Sequence, residues 1–231
     1  MSRKIAKGRL ALSSDLARAC HLVHERGMVA ATDGNASIRL PNGNILVTGS
    51  GVRKGNLTRN DLVEVTPEGR KIKGKRKPST ELGMHLYIYR ERPDVRAVLH
   101  AHPVYATGFA VARIALDKPI LPELIVTLGV VPLAQYATPS TEDVSESLAP
   151  FVKTFDAVLL ANHGVVTYGR DLDDAFNKLD KVEQAARISF VARMLGGERT
   201  LTNEDIRKLA QVSPASYQKH IPEILWDATK T

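Results

Sequence analysis

His100 and His102, one residue apart at the end of the run ArgAlaValLeuHisAlaHis, are the side chains in this sequence best suited to chemistry. Side chains alternate across a strand, so positions i and i+2 leave the same face, about 7 Å apart along the backbone. Two imidazoles placed that way suit two ligands of one metal ion, although the pair alone fits an ordinary sheet edge equally well. His163 follows a second apolar run, AlaValLeuLeuAlaAsn, and Glu81 lies within LysProSerThrGluLeuGlyMetHis. Three histidines with a carboxylate that can bind or withdraw make a catalytic zinc pattern rather than a closed structural one. His21 and His24 have no third ligand beside them and read as surface or packing residues.

Helices and strands must alternate to hold these groups. Ser13, Ser14 and Asp15 predict a helix start, with Leu16, Ala19, Cys20 and Val23 at helical spacing and Gly27 as the stop. AlaSerIleArgLeu, ProAsnGlyAsn and IleLeuValThr read as strand, turn and strand. LeuValGluVal, ProGluGly and ArgLysIleLys repeat that pattern. Residues 80 to 91 predict a helix capped at Ser79 or Thr80, and Pro103 opens another directly after the His100 strand. Further on, 130 to 134 predicts a strand, SerThrGluAsp at 140 to 143 a helix start, and 157 to 168 two short strands around AsnHisGly. The longest helix is expected from about Asp171 to Leu195, stopped by Gly196 and Gly197, with ThrAsnGluAsp at 202 to 205 starting a shorter one. This mixture of hairpins and helices predicts an α/β fold of three layers, a largely antiparallel central sheet flanked by helices.

With 231 residues, 43% of them hydrophobic, one domain is expected over 1–231, its core at about 10–197 and a C-terminal segment at 198–231. No apolar run approaches the roughly 20 residues that cross a bilayer, and nothing reads as a targeting segment. The lone Cys20 reads as a buried small hydrophobe and fits a reducing, cytoplasmic compartment. The formal net charge is +7, and residues 70 to 77 hold six basic side chains in eight. Aromatics are 5% of the chain and none interrupts that run, so it reads as solvated surface that steers an anionic substrate. Neither a nucleic-acid nor a membrane partner is expected.

Taken in order, ThrAspGlyAsnAlaSer, ValThrGlySerGly, LysProSerThrGlu, HisAlaHisPro and AsnHisGly resemble the class II aldolase/adducin family over about residues 10 to 197. The resemblance implies a homotetramer with active sites at subunit interfaces. It also implies one Zn2+ per subunit, held by His100, His102 and His163 with Glu81 as the exchangeable carboxylate. A phosphorylated substrate would be held through Gly34, Asn35, Thr48, Gly49, Ser79 and Thr80; the family usually has serine at Thr80, and the hydroxyl is kept. Glycines let backbone N–H groups approach an anion, and a helix N-terminus adds donors and a favourable dipole. Asp33 reads as a turn former. Where the family's aldolases place an assisting tyrosine from the neighbouring subunit, this chain has Glu123, in LeuProGluLeuIle. It resembles there the members that dehydrate methylthioribulose 1-phosphate, which lack the carboxylate at Glu81 that this chain keeps. Glu123 otherwise reads as a surface carboxylate before an apolar strand.

The activity implied is reversible cleavage of a ketose 1-phosphate, of the L-fuculose 1-phosphate or 5-deoxypentulose 1-phosphate type, to dihydroxyacetone phosphate and an aldehyde. Glu81 would move the carbon-bound proton and Glu123 the oxygen-bound one. Dehydration of the methylthioribulose 1-phosphate type, decarboxylation or epimerisation on the same metal are the alternatives. A non-catalytic, adducin-like interaction domain would require loss of ligands that this chain retains. Tyr217 is a candidate contact for the aldehyde half of the substrate.

Overall fold

The computed structural model describes residues 8–212. In chain order they form α1 (Arg9–Glu25), β1 (Asn35–Arg39), β2 (Ile45–Thr48), β3 (Leu62–Val65), β4 (Lys71–Lys73), α2 (Leu82–Glu91), β5 (Ala97–Ala101) and α3 (Val104–Val111). Then come α4 (Pro122–Leu128), β6 (Leu133–Ala134), α5 (Asp143–Leu148), β7 (Ala157–Leu160), β8 (Gly164–Gly169), α6 (Leu172–Met194) and α7 (Asn203–Val212). The eight strands make one sheet in the order β4-β3-β2-β1-β5-β8-β7-β6, antiparallel throughout except for the parallel β6–β7 pair.

Strand alternation builds two apolar layers. Ala36, Ile38, Leu46, Leu99 and Leu159 pack towards α1, α3 and α6, which supply Leu16, Cys20, Phe109, Leu179 and Val182. Ile45, Val47, Val63, Val98, Val158 and Tyr168 leave the opposite face and pack with Leu82, Ile88 and Tyr89 of α2 and Val144 and Leu148 of α5. His100 shares the parity of Val98, so its ring leaves the sheet on the α2 side. The three-layer α/β architecture is therefore the one the sequence predicts.

Several boundaries differ from the sequence reading. Helix α1 begins at Arg9, because Ser13 and Ser14 donate their hydroxyls back to the Leu10 carbonyl and sit inside the helix rather than capping it. Helix α2 begins at Leu82, with Glu81 at its N-cap position instead of Ser79 or Thr80. The strand expected at 130 to 134 shrinks to Leu133–Ala134, since Pro132 lacks the N–H a ladder needs. Glu123 does not precede a strand: LeuIleValThrLeu coils as α4, started by Pro122 in its first turn. Such a short apolar run has no periodicity that separates strand from helix.

Among the described residues, no helix is long and apolar enough to cross a membrane.

Candidate metal centre

The sheet register assembles the site. Asn35 of β1 pairs with His100 of β5, and His100 pairs with Val166 of β8. The short turn between β7 and β8, with Asn162 at φ 55°, returns His163 beside the end of β5. Close approach there depends on glycine, because a Cβ on Gly164 would lie 2.6 Å from the His102 ring. The rings of His100, His102 and His163 gather with centroids 4.6 to 5.2 Å apart. One ligand atom from each lies within 4.8 Å of the others.

Ring orientation follows from neighbouring groups. His100 Nδ1 lies 2.9 Å from the Val165 carbonyl, to which it donates, leaving the Nε2 lone pair free towards the cluster. His102 Nε2 approaches His100 Nε2 to 3.0 Å, a separation that bonds of roughly 2.1 Å to one ion can bridge. Glu81 reaches in from the start of α2, with Oε2 3.3 Å from His100 Nε2 and Oε1 3.3 Å from His163 Nε2.

The electrostatics fit a cation. Burial, and then the neighbouring imidazoles, hold His100 well below the usual histidine range, and burial followed by His102 pushes His163 down to about 4. His102 is lowered by burial, against the opposing pull of Asp33. The rings are thus neutral, so their contacts with Glu81 are not ion pairs. Burial raises the Glu81 carboxyl, Asn35 opposes that shift by hydrogen bonding, and Asp33 adds to it. Glu81 Oε1 is buried and accepts no hydrogen bond. An unpartnered buried carboxylate oxygen is unfavourable by more than about 1–3 kcal/mol, and beside the three imidazoles a metal ion would satisfy it. The donor set of three histidines and one carboxylate matches a catalytic divalent-metal site.

The loops expected to hold phosphate are brought together alongside. Thr48 Oγ1 accepts from Ala36 N–H at 3.3 Å, Gly49 bridges Pro78, and Ser79 N–H donates to the Thr48 carbonyl at 3.1 Å. Gly49 N–H is itself committed to the Asp61 carbonyl at 2.9 Å. Donors left for an anion therefore include the hydroxyls of Thr48, Ser79 and Thr80 and the second amide hydrogen of Asn35, whose first goes to Glu81 Oε2 at 2.8 Å. Gly34 has φ +71°, and a Cβ there would lie 2.7 Å from Val29 Cγ1 and 2.8 Å from the His100 carbonyl oxygen. Gly34→Ala is therefore expected to destabilise the protein by about 1–3 kcal/mol and to loosen metal binding. A denaturant midpoint and a zinc titration check both, and an unchanged variant would mean that this loop yields easily.

Glu123 is not brought to the cluster within one chain. It is exposed on the first turn of α4 and lines a groove of about 950 Å3 along α4 and α6 that contains none of the three histidines. Tyr217 lies outside the described residues. Sequence reading missed three contributors. Asp33 Oδ2 lies 3.7 Å from His102 Nδ1, an electrostatic neighbour too distant for a hydrogen bond. Lys54, 3% exposed, donates to the carbonyls of Thr32 and Val52 at 2.9 and 2.7 Å and so ties the Gly34 loop to the Gly49 loop. His85 hydrogen-bonds Asn35; its position four residues after Glu81 on a predicted helix was the available signal.

Residues 14–190 match the family model described as Class II Aldolase and Adducin N-terminal domain. A 3-oxo-tetronate 4-phosphate decarboxylase of Escherichia coli (strain K12) is 34% identical, over 80% of this chain and 89% of its own length. An L-fuculose phosphate aldolase of Methanococcus maripaludis (strain C5) is 32% identical, over 79% of this chain and 98% of its own. Among solved structures, an L-fuculose 1-phosphate aldolase superposes with a TM-score of 0.81 at 30% identity, covering 89% of this chain and 97% of that one.

Proposed function

The chain belongs to the class II aldolase and adducin family, whose enzymes include lyases such as aldolases and decarboxylases, and we propose that it is a zinc-dependent aldolase. Its reaction is the reversible cleavage of a ketose 1-phosphate to dihydroxyacetone phosphate and an aldehyde, in the cytoplasm. The observation that carries this reading is the buried, unpartnered Oε1 of Glu81 facing His100, His102 and His163 beside the Gly34, Gly49 and Ser79 loops. The histidines with Glu81 would hold the metal, which when bound supplies a Lewis acid for negative charge developing on the substrate carbonyl oxygen.

The chain's own groups do the rest. Asn35, Thr48, Ser79 and Thr80, on loops shaped by Gly34 and Gly49, fix the phosphate and hence the reacting carbon. The Glu81 carboxyl, raised by burial, is tuned to accept and return the proton on that carbon. Glu123 moves the proton on the departing oxygen, reaching its site from a neighbouring subunit of a homotetramer.

A second reading, decarboxylation, is favoured by the 34% identity to a 3-oxo-tetronate 4-phosphate decarboxylase. The two reactions are close: loss of CO2 from the carboxyl carbon of a 3-oxo-tetronate 4-phosphate also leaves dihydroxyacetone phosphate after protonation. What differs is the fragment that departs. Asp33 and Glu81 flank the histidines with two carboxylates, which suits an uncharged aldehyde half better than a substrate carboxylate. Zinc-loaded protein is expected to release dihydroxyacetone phosphate and an aldehyde from at least one of fuculose, rhamnulose and 5-deoxypentulose 1-phosphates. CO2 release from 3-oxo-tetronate 4-phosphate, with no aldehyde from the ketose phosphates, would select decarboxylation.

A further inference from the structure

A buried seam of polar side chains connects the sheet to Glu81. Tyr89 Oη lies 2.8 Å from Ser37 Oγ, and Ser37 Oγ lies 2.7 Å from His85 Nδ1. His85 Nε2 lies 2.5 Å from Asn35 Oδ1, and Asn35 Nδ2 lies 2.8 Å from Glu81 Oε2. Two periodicities produce the seam. Asn35 and Ser37 stand two apart on β1 and share the face towards α2, while Glu81, His85 and Tyr89 recur every fourth residue along α2. His85 and Ser37 are wholly buried, with Asn35 and Tyr89 nearly so, and none of them is a metal ligand.

The valence of each group fixes the direction of every bond. A carboxylate only accepts, so Asn35 must present its NH2 to Glu81 and its carbonyl oxygen to His85. His85 Nε2 must then carry a hydrogen. Burial keeps the ring neutral, its pKa pushed down to about 3, so it has one N–H and Nδ1 must accept. Ser37 donates to Nδ1 and accepts from the Tyr89 hydroxyl, whose alternative partner, the Arg96 carbonyl, lies farther off at 3.4 Å. Arg39 steadies that end, with its guanidinium 5.0 Å from the Tyr89 ring centroid and Nη2 donating to the Tyr89 carbonyl. The result is one line of donors, Tyr89 to Ser37 to His85 to Asn35 to Glu81.

We propose that His85 is a positioning residue: held as the Nε2–H tautomer, it locks the Asn35 amide so that N–H, and not C=O, faces both Glu81 and the anionic end of the substrate. A rotated Asn35 would turn an acceptor towards two anions at once. Without the seam, that rotation is opposed only locally. The inference rests on the reading of Glu81 as the base and Asn35 as a phosphate contact.

The test has an arm that needs no turnover. In protein labelled with 15N in its histidine rings, NMR should show His85 protonated at Nε2 and accepting at Nδ1, unchanged between about pH 5 and 8. A hydrogen on Nδ1, or on both nitrogens, would overturn the proposal. His85→Phe removes both ring functions and is expected to bind inorganic phosphate at least about tenfold more weakly by calorimetry. The same variant should slow solvent-hydrogen exchange into dihydroxyacetone phosphate by a similar factor while keeping its zinc. His85→Gln, which can still donate to Asn35, should recover most of both. A folded His85→Phe with wild-type phosphate affinity would refute the lock, and if that variant does not fold, the tautomer alone decides. A wild-type protein that shows the expected tautomer but neither binds phosphate nor exchanges hydrogen would refute the aldolase reading instead.

Discussion

His100→Ala is expected to lose stoichiometric zinc and, with it, all measurable cleavage. His100 lies at the centre of the cluster: its ring is buried, its Nδ1 is held by the Val165 carbonyl, and its Nε2 stands 3.0 Å from His102 Nε2 and 3.3 Å from Glu81 Oε2. Loss of a group that merely orients a metal ligand lowers metal affinity or activity by roughly 10–100-fold, and loss of the ligand itself should exceed that. Metal analysis after purification without chelator, together with assay of dihydroxyacetone phosphate release, reads both effects. The exposed His24, substituted the same way, should change neither. Chelation of the wild-type protein should abolish activity, lower its melting temperature and be reversed by added zinc, since a ligand that binds only the folded state stabilises it. Retention of one tightly held zinc by His100→Ala would show that the centre lies elsewhere.

The grouping of the three histidines with Glu81 was legible because its signal is local. His-x-His on a strand leaves one face whatever the rest of the chain does, and His163 and Glu81 sit in short runs whose neighbours mark a turn and a helix start. The long helix α6 was legible for a similar reason, since its apolar stripe and the Asp171 cap both lie within it. What was hidden depends on register. Nothing local to Ser37 or His85 says that β1 lies against β5 with Asn35 opposite His100, yet that pairing puts Asn35 and Ser37 under His85 of α2 and creates the polar seam. Asp33 was read as a turn residue because its role appears only once His102 has been folded back to it. Helix α4 was missed because LeuIleValThrLeu is apolar on every side, and what coils it is Pro122 in the first turn and packing of Leu124, Ile125 and Leu128.

Glu81→Gln should stop solvent-hydrogen exchange into dihydroxyacetone phosphate, whereas Glu123→Gln should leave that exchange nearly intact and slow cleavage of the full ketose phosphate. The division follows from where the two carboxylates stand. Glu81 touches His100 and His163, and its pKa is raised by burial, as suits a group that takes a proton from carbon beside the metal. Glu123 is exposed on α4 and has no contact with the cluster in its own chain, so the role proposed for it would be played across a subunit boundary, on the half of the substrate that departs. Exchange into dihydroxyacetone phosphate needs no aldehyde and therefore isolates the first role. General acid–base groups contribute about 10²–10⁴-fold, so either loss is large enough to read in a simple rate. Glutamine at position 81 keeps an oxygen for the Asn35 amide hydrogen, which limits collateral disorder in the polar seam. Each variant must still carry zinc, because an emptied centre would imitate a missing base. Glu123→Gln that cleaves at the wild-type rate would make Glu123 a surface carboxylate, and the oxygen-bound proton would then have to be moved by another group.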